Sequence, residues 1–177
     1  MRIVSDIHDV AMIEADAIDL QPRDDVEATA LILTAARHAG GGAAVFDLDL
    51  EAAQDRLIWT DLDRAMQILV NLMSNAKKYS LGEGDVTVIA SFVDDAYLRV
   101  SVSDQGIGIS DDMKPKIFNA FEREDRAVRR AISGAGLGLS IAKRLADRLD
   151  ARIDFESEEG VGSTFWVDFP LRKPAQP

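Results

Sequence analysis

The chain has 177 residues, no cysteine and a formal net charge of −11 at pH 7. The lack of cysteine excludes disulfides and thiolate metal sites, and the negative charge argues against a nucleic-acid partner, whose phosphates need clustered lysines and arginines. No apolar run approaches the ~20 residues that span a bilayer, and the N-terminus lacks a signal-peptide pattern, so we expect a cytoplasmic chain without membrane contact of its own.

Two helical patterns open the chain. Residues 1 to 20 carry apolar residues at helical spacing, and Gln21 with Pro22 ends that helix. A second helix is predicted to begin at Asp24, which can cap it, and to end at the glycines at positions 40 to 42.

Two short strands and a long helix follow. Residues 43 to 50 alternate as a strand, and residues 55 to 60 are predicted to be its short partner. Thr60 and Asp63 then have the spacing of a capping box, which predicts the start of an amphipathic helix. Its core stripe contains the apolar residues Leu62, Ala65, Met66, Leu69, Leu72, Met73 and Ala76.

Two hairpins dominate the second half of the chain. Residues 85 to 93 and 97 to 104 alternate as one pair of strands, and residues 151 to 157 and 163 to 169 as another. Antiparallel pairing of this kind excludes a doubly wound Rossmann sheet. We therefore predict an α+β two-layer sandwich, with a mixed, mostly antiparallel sheet of about five strands covered on one face by three helices.

Between the hairpins lies a segment with weak periodicity. Residues 106 to 138 are rich in glycine and charge, and loops of this length are usually functional. We expect a mobile lid with one short helix around Lys116 to Phe121, followed by a third long helix over residues 137 to 150.

An amide stripe lies on the predicted helix after Thr60. At 100° per residue Gln67, Asn71, Asn75 and Lys78 share one face, opposite the core stripe. An ordinary solvent face would explain the stripe. Alternatively, an amide oxygen is a suitable ligand for Mg²⁺, which keeps several waters and is usually shared with substrate phosphates. Asn75 could supply that oxygen, and Lys78 could meet a phosphate as a point charge.

The stretch "SDQGIG" places Asp104 at the end of a strand, with Gly106 and Gly108 just beyond it. A tight turn is the simpler interpretation of this pattern. In the functional alternative, the Asp104 carboxylate accepts a hydrogen bond from the amino group of adenine, while the glycines let the backbone approach the base. Guanine has a carbonyl at that position, so an ionised aspartate would select ATP over GTP.

The stretch "SGAGLGLS" opens the third long helix with Gly134, Gly136 and Gly138. Backbone N–H groups at a helix N-terminus can bind an anion, although a flexible hinge would also explain the glycines. No lysine with serine or threonine follows, so the stretch is not a P-loop.

In their joint order these motifs resemble the N, G1, F and G2 boxes of the histidine kinase catalytic and ATP-binding domain, a member of the GHKL or Bergerat-fold superfamily. The resemblance covers roughly residues 22 to 170. Residues 5 to 22 resemble the end of the second helix of the dimerisation and phosphotransfer hairpin. The motifs are "NLMSNAKKYS", "DQGIG", "KIFNAFERED" and "GAGLGL", with a late "GVGSTF".

The resemblance implies a role for each site residue. Asn75 would hold Mg²⁺, with Asn71 near the phosphates, Lys78 on a phosphate and Tyr79 near the base. Arg123 would contact the γ-phosphate, and Asn71, Lys78 and Arg123 would be the catalytic residues. Asp104 would read adenine in a pocket shaped by Gly106, Gly108, Ile109, Leu139 and Phe165, and the triphosphate would be wrapped by Gly134, Gly136, Leu137 and Gly138.

Asn71 also indicates which kind of side chain accepts the phosphoryl group. In superfamily members that hydrolyse ATP or phosphorylate hydroxyls, the matching position is a glutamate that acts as a general base, whereas an amide has no useful basicity. A neutral imidazole brings its own lone pair, so Asn71 favours transfer to histidine. His8 stands only 63 positions before Asn71, which leaves no room for the hairpin, so we expect the acceptor to lie outside this chain.

We therefore predict the catalytic domain of a two-component sensor histidine kinase that uses Mg-ATP. Residues 1 to 21 would be the hairpin remnant and linker, 22 to 171 the ATP-binding domain, and 172 to 177 a frayed tail. The expected partners are the phosphotransfer hairpin of the parent kinase and a downstream response regulator, and this piece alone would be inactive. The alternatives are a nucleotide-binding pseudokinase or scaffold, and an ATPase of the GHKL superfamily.

Overall fold

A computed structural model describes residues 12, 18–40, 46–80, 86–122 and 136–174. The described strands are β1 (Arg23–Glu27), β2 (Phe46–Asp49), β3 (Leu57–Thr60), β4 (Val86–Val93), β5 (Tyr97–Asp104), β6 (Arg152–Glu158) and β7 (Gly162–Pro170). The helices are α1 (Ala28–Gly40), α2 (Leu62–Tyr79) and α3 (Gly138–Arg148), with 3₁₀ turns at Glu51–Ala53 and Lys114–Lys116. No helix in these residues is long and apolar enough to cross a membrane.

The main sheet has five strands in the order β2-β4-β5-β7-β6. The pair β2 and β4 is parallel, whereas the other three pairs are antiparallel. Both predicted hairpins are confirmed, β4 with β5 and β6 with β7. Strand β5 alternates strictly between buried and half-buried residues, which is the pattern of a sheet covered on one face.

Helices α1, α2 and α3 provide that cover, so the predicted two-layer architecture is confirmed. Helix α2 lies centrally, because it packs against both α1 and α3. Its buried face includes Ile68, which the predicted stripe omitted, whereas Leu62 of that stripe is 37% exposed. The stripe is therefore centred slightly differently from the prediction.

The predicted pairing of the first two strands is wrong. Strand β3 does not pair with β2; it pairs with β1 in a separate two-stranded sheet, while β2 joins the edge of the main sheet. The sequence pattern instead predicts that the residues of β1 belong to the start of a helix. Alternation over such short segments shows that a strand exists but not which strand it pairs with.

Helix α1 consequently begins four residues after Asp24, and Asp24 does not cap it. The carboxylate of Glu27 accepts hydrogen bonds from the N–H groups of Thr29 and Ala30, at 3.1 and 3.0 Å. A glutamate side chain thus satisfies the first free donors of the helix, a position where serine, threonine, aspartate and asparagine are usual.

The cap of α2 is also shifted by one residue. Asp61 is the N-cap and accepts from the N–H groups of Asp63 and Arg64, whereas Thr60 ends strand β3. In the segment predicted as a lid, a 3₁₀ turn lies at Lys114–Lys116, slightly before the short helix expected around Lys116 to Phe121. Residues 123 to 135 of that segment lie outside the described residues.

The face of the sheet away from the helices carries an ion pair among aromatic rings. Arg99 on β5 contacts the carboxylate of Asp168 on β7 through two nitrogens, at 2.7 and 2.9 Å. The guanidinium of Arg99 also lies 4.8 Å from the ring centroid of Trp166. Asp168 is only 2% exposed, so these residues form a small covered cluster on the outer face.

Candidate nucleotide-binding site

Helix α2 positions the predicted amide stripe beside the start of α3. Asn71, Asn75 and Lys78 are half-buried, in contrast to the fully buried residues on the opposite side of the helix. The Asn71 Oδ1 atom lies 3.4 Å from the position that a Cβ atom would occupy on Gly138. The asparagine amide therefore lies beside the first residue of α3, and the two predicted motifs meet in space.

Lys78 and Tyr79 contact each other at the C-terminal end of α2. The Lys78 ammonium lies 4.8 Å from the centroid of the Tyr79 ring, and its Nζ is 3.3 Å from the tyrosine hydroxyl. The lysine charge is thus held near the site by the neighbouring aromatic side chain and remains half-buried.

Asp104 ends strand β5 as a buried carboxylate that is 8% exposed. Its Oδ1 accepts a hydrogen bond from the N–H of Gly106 at 2.9 Å. Burial raises the pKa of Asp104, while hydrogen bonds from the backbone N–H groups of Gly106 and Ser163 act in the opposite direction. The carboxylate is therefore oriented by the backbone, and its remaining lone pairs can accept from a further donor.

Two glycines fix the loop after Asp104. A Cβ on Gly106 would overlap the carbonyl oxygen of Tyr79, which ends α2. Gly108 has a φ of +63°, and a Cβ there would overlap the carbonyl oxygen of Glu158, the last residue of β6. The loop is held between these two elements, so Gly106 is needed for close packing, and Gly108 for close packing and for its backbone conformation.

The predicted apolar residues of the pocket differ in where their side chains lie. Ile109 and Leu137 are buried in the core, whereas Leu139 is half-buried. Phe165 is buried on β7 and stacks on Phe155, with ring centroids 5.2 Å apart. Since the side chain of Leu137 belongs to the core, that residue can offer a ligand only its backbone.

A backbone hydrogen bond connects the described part of the predicted lid to the residues just before α3. The N–H of Phe121 donates to the carbonyl oxygen of Gly136 at 3.2 Å, and Gly136 has a φ of +72°. Phe121 itself is 64% exposed and has a φ of +63°. Arg123 and Gly134, both predicted site residues, lie outside the described residues.

One participant was not predicted from the sequence. Ser163 lies opposite Asp104 in the pairing of β5 with β7 and donates its backbone N–H to the aspartate. The "GVGSTF" motif marked this region, but only the register of two strands that are distant in sequence identifies the donor. A separate groove of about 620 Å³ lies at the opposite end of β5, beside Tyr97, and its lining contains none of the predicted site residues.

The oxygen donors of the predicted site fit a metal ion that binds together with the phosphates of a nucleotide. Among the described residues no group of three or more histidine, cysteine, aspartate or glutamate side chains could hold a metal ion. The half-buried amides of Asn71 and Asn75 instead offer neutral oxygens, which suit Mg²⁺ when phosphate oxygens and water complete its coordination.

Comparison with known proteins identifies the family. Residues 60–173 match the family described as histidine kinase-, DNA gyrase B-, and HSP90-like ATPases. The full-length ShkA structure in complex with AMPPNP has a TM-score of 0.75 and 30% identity, over 96% of this chain and 36% of that one. The nucleotide-free catalytic domain of histidine kinase ThkA has a TM-score of 0.66 and 25% identity, over 87% of this chain and 97% of that one.

Sequence relatives agree with the structural ones. The sensor protein GacS of Pseudomonas syringae pv. syringae is 37% identical over 98% of this chain and 20% of its own length. The circadian input-output histidine kinase CikA of Synechococcus elongatus is 34% identical over 100% of this chain and 24% of its own length. The chain thus spans about a fifth to a quarter of these curated relatives.

The chain therefore belongs to the family of histidine kinase-, DNA gyrase B- and HSP90-like ATPases. Within that family its relatives are sensor histidine kinases, and the chain has the ATP-binding domain of the sensor histidine kinase type.

Proposed function

We propose that this chain binds Mg-ATP and, within a longer two-component sensor kinase, donates the γ-phosphoryl group to a histidine on a phosphotransfer hairpin. The domain would extend over residues 22 to 171, and a response regulator would accept the phosphoryl group next. The observation that carries the proposal is the buried Asp104 carboxylate, fixed by two backbone N–H groups beside a glycine loop. The AMPPNP complex of the similar ShkA supports an adenine nucleotide as the ligand.

The geometry of Asp104 supports adenine recognition. Its carboxylate is an acceptor, so it pairs with the exocyclic amino group of adenine and not with the carbonyl group of guanine. Gly106, Gly108, Ile109, Leu139 and Phe165 would surround the base, with Tyr79 beside it.

The phosphates would lie between α2 and the start of α3. Asn75 would hold Mg²⁺, which supplies charge neutralisation for the transferring group, and Lys78 would leave the Tyr79 ring to contact a phosphate oxygen. The backbone from Gly134 to Gly138 would bind the remaining oxygens at the N-terminus of α3. Arg123 would contact the γ-phosphate.

Asn71 would position the reaction without accepting a proton. Its side chain packs against Gly138 and has no basic group, so it does not activate water or a serine hydroxyl. A neutral imidazole attacks through its own nitrogen lone pair, and transfer then depends on positioning and on stabilising the charge of the phosphoryl group. This arrangement favours a histidine acceptor and disfavours ATP hydrolysis.

Calorimetry tests the nucleotide assignment. Mg-ATP and Mg-GTP would be titrated into the wild type and into Asp104→Asn, with Asp111→Asn as the control because Asp111 is an exposed aspartate outside the proposed site. We expect ATP binding without GTP binding, and an ATP affinity at least ~10-fold weaker in Asp104→Asn, which is about 1.4 kcal/mol.

Transfer would then be measured by adding a histidine-containing hairpin to the wild type. Phosphorylation of the hairpin with little ATP consumption in its absence supports the kinase assignment. Sustained ATP turnover without a hairpin would instead support the ATPase alternative. Binding without transfer would support a pseudokinase.

A further inference from the structure

A short strap, defined as residues 18 to 21, connects the N-terminus of α2 to the C-terminus of α3. Ile18 is buried against the core, and its carbonyl oxygen accepts a hydrogen bond from Nη2 of Arg148 at 3.2 Å. Three residues later, the backbone N–H of Gln21 donates to Oδ2 of Asp61 at 2.7 Å. Arg148 is the last residue of α3 and Asp61 is the N-cap of α2, so the strap is attached to both helices.

Asp61 uses its two carboxylate oxygens for different partners. Oδ1 accepts from the N–H groups of Asp63 and Arg64, at 3.0 and 3.1 Å, and caps α2. Oδ2 accepts from Gln21 and holds the strap. Because Arg23 pairs with Thr60 in the sheet formed by β1 and β3, this bond extends the contact between the two chain segments beyond their last ladder pair. Asp61 is 7% exposed, whereas Gln21 lies at the surface, so the bond to the strap is partly buried.

The other ends of the same two helices form the proposed nucleotide site. Helix α2 carries Asn71, Asn75 and Lys78 in its second half, and α3 begins at Gly138 in contact with Asn71. The two helices pack directly against each other. They run in opposite directions, because the N-terminus of α3 lies beside Asn71 while its C-terminus is linked by the strap to the N-terminus of α2. A change in their spacing at the strap is therefore transmitted along two stiff helices to the gap between Asn71 and Gly138.

We propose that Asp61 and the strap are positioning elements for nucleotide binding. The docked strap holds α2 and α3 at the spacing in which Asn71, Asn75 and the α3 N-terminus face the same phosphates. Release of the strap lets the helices adopt other spacings, which lowers the fraction of molecules competent to bind and so weakens the apparent affinity. This inference rests on the proposed function.

Two variants remove the strap bond from opposite sides. Asp61→Ser keeps a side-chain oxygen that caps α2 but lacks the second acceptor for Gln21. Gln21→Pro removes the donor N–H and leaves Asp61 in place. Gln21→Ala is the matched control, because it changes the same side chain and keeps the N–H.

Calorimetry with Mg-ATP measures the consequence. We expect Asp61→Ser and Gln21→Pro to bind ~3- to 10-fold more weakly than the wild type, the range of one net hydrogen bond, and Gln21→Ala to stay within about twofold. The double variant should be no weaker than the weaker single variant, because both substitutions remove the same bond.

Hydrogen exchange of the wild type provides a second measurement. If Asp61 only capped α2, Mg-ATP would not change the exchange rate of the strap. By reciprocity, saturating Mg-ATP should slow exchange of the Gln21 amide by the same ~3- to 10-fold, followed by NMR on ¹⁵N-labelled protein. Equal affinities for all variants, or an exchange rate at Gln21 that ATP leaves unchanged, would overturn the strap proposal. A wild type that does not bind ATP would overturn the proposed function itself, and this inference with it.

Discussion

At the scale of single residues, the proposed site depends on a buried carboxylate that, within the described part of the chain, is paired with backbone N–H groups and not with a cation. The groups that contact Asp104 are backbone N–H donors, which orient the charge but do not neutralise it. Burial is the larger influence and raises the pKa of the carboxyl group above its ordinary value. A buried carboxyl group of this kind stabilises the fold more in its protonated form. In its ionised form it is the better hydrogen-bond acceptor for a donor group of a ligand.

This gives a pH dependence with a defined sign. Because the pKa of Asp104 is higher in the folded than in the unfolded chain, its contribution to stability is complete below about pH 4 and is lost as the pH rises through the folded value. The free energy of unfolding of the wild type, relative to Asp104→Asn, should therefore decrease between pH 4 and pH 7. Urea denaturation at several pH values measures the difference, and an increase would contradict the assigned cause.

The glycines of the loop give a second prediction. Gly108 and Gly160 both have positive φ, +63° and +82°, but a Cβ on Gly108 would overlap the backbone of Glu158, while a Cβ on Gly160 would meet nothing within 4 Å. Gly160→Ala should cost about 1–2 kcal/mol from backbone strain alone. Gly108→Ala should cost at least ~2 kcal/mol more, because the turn must also move. Equal losses in denaturant unfolding would show that packing at Gly108 is unimportant.

At the scale of elements, the sequence predicted the strands and helices better than their ends and partners. Hairpins β4–β5 and β6–β7 were identified because long alternating stretches flank short turns. The pairing of β3 with β1 was missed because Leu57 to Thr60 is short, and its partner lies beyond a whole helix in sequence. Asp24 was chosen as a cap by residue type, whereas Glu27 caps α1 because β1 continues to that residue.

The cap of α1 can be tested directly. Glu27→Ala removes the acceptor for the N–H groups of Thr29 and Ala30, so we expect a loss of about 0.5–2 kcal/mol in the free energy of unfolding. Asp24→Ala is the control, because Asp24 is exposed and precedes the helix by four residues, and it should change stability by less than ~0.5 kcal/mol. Chemical denaturation measures the free energy of unfolding of both variants. A larger loss in Asp24→Ala than in Glu27→Ala would show that Asp24 caps the helix.

The ion pair on the outer face of the sheet provides a further test. Asp168→Ala leaves the Arg99 guanidinium without its two-point partner on a largely covered surface, so we expect a loss of at least ~2 kcal/mol. Asp147→Ala breaks the exposed pair with Lys143 on α3 and should cost less than ~0.5 kcal/mol. Thermal or urea unfolding measures both. ATP affinity should stay unchanged in each, since neither residue lies at the proposed site.

At the scale of the whole molecule, the site is assembled from parts that are far apart in sequence. The sequence predicts a function for the motif around Asn71 and for the glycines before α3, because their residue types are unusual for a helix face and a helix start. Their contact could not be predicted, since it depends on how α2 and α3 pack across the sheet. The same holds for Ser163, whose bond to Asp104 exists only in the register of β5 with β7.

The hydrogen bond between Phe121 and Gly136 has a consequence for how the chain tolerates change. This bond brings together the two ends of the intervening segment, Phe121 on one side and Gly136 on the other. The entropic cost of closing a flexible loop grows only logarithmically with its length, by about 0.6 kcal/mol for each doubling of the number of residues. If the segment closes as a flexible loop, insertions and deletions within residues 122 to 135 should change the free energy of unfolding little, so nucleotide affinity could be altered there while the sheet stays intact.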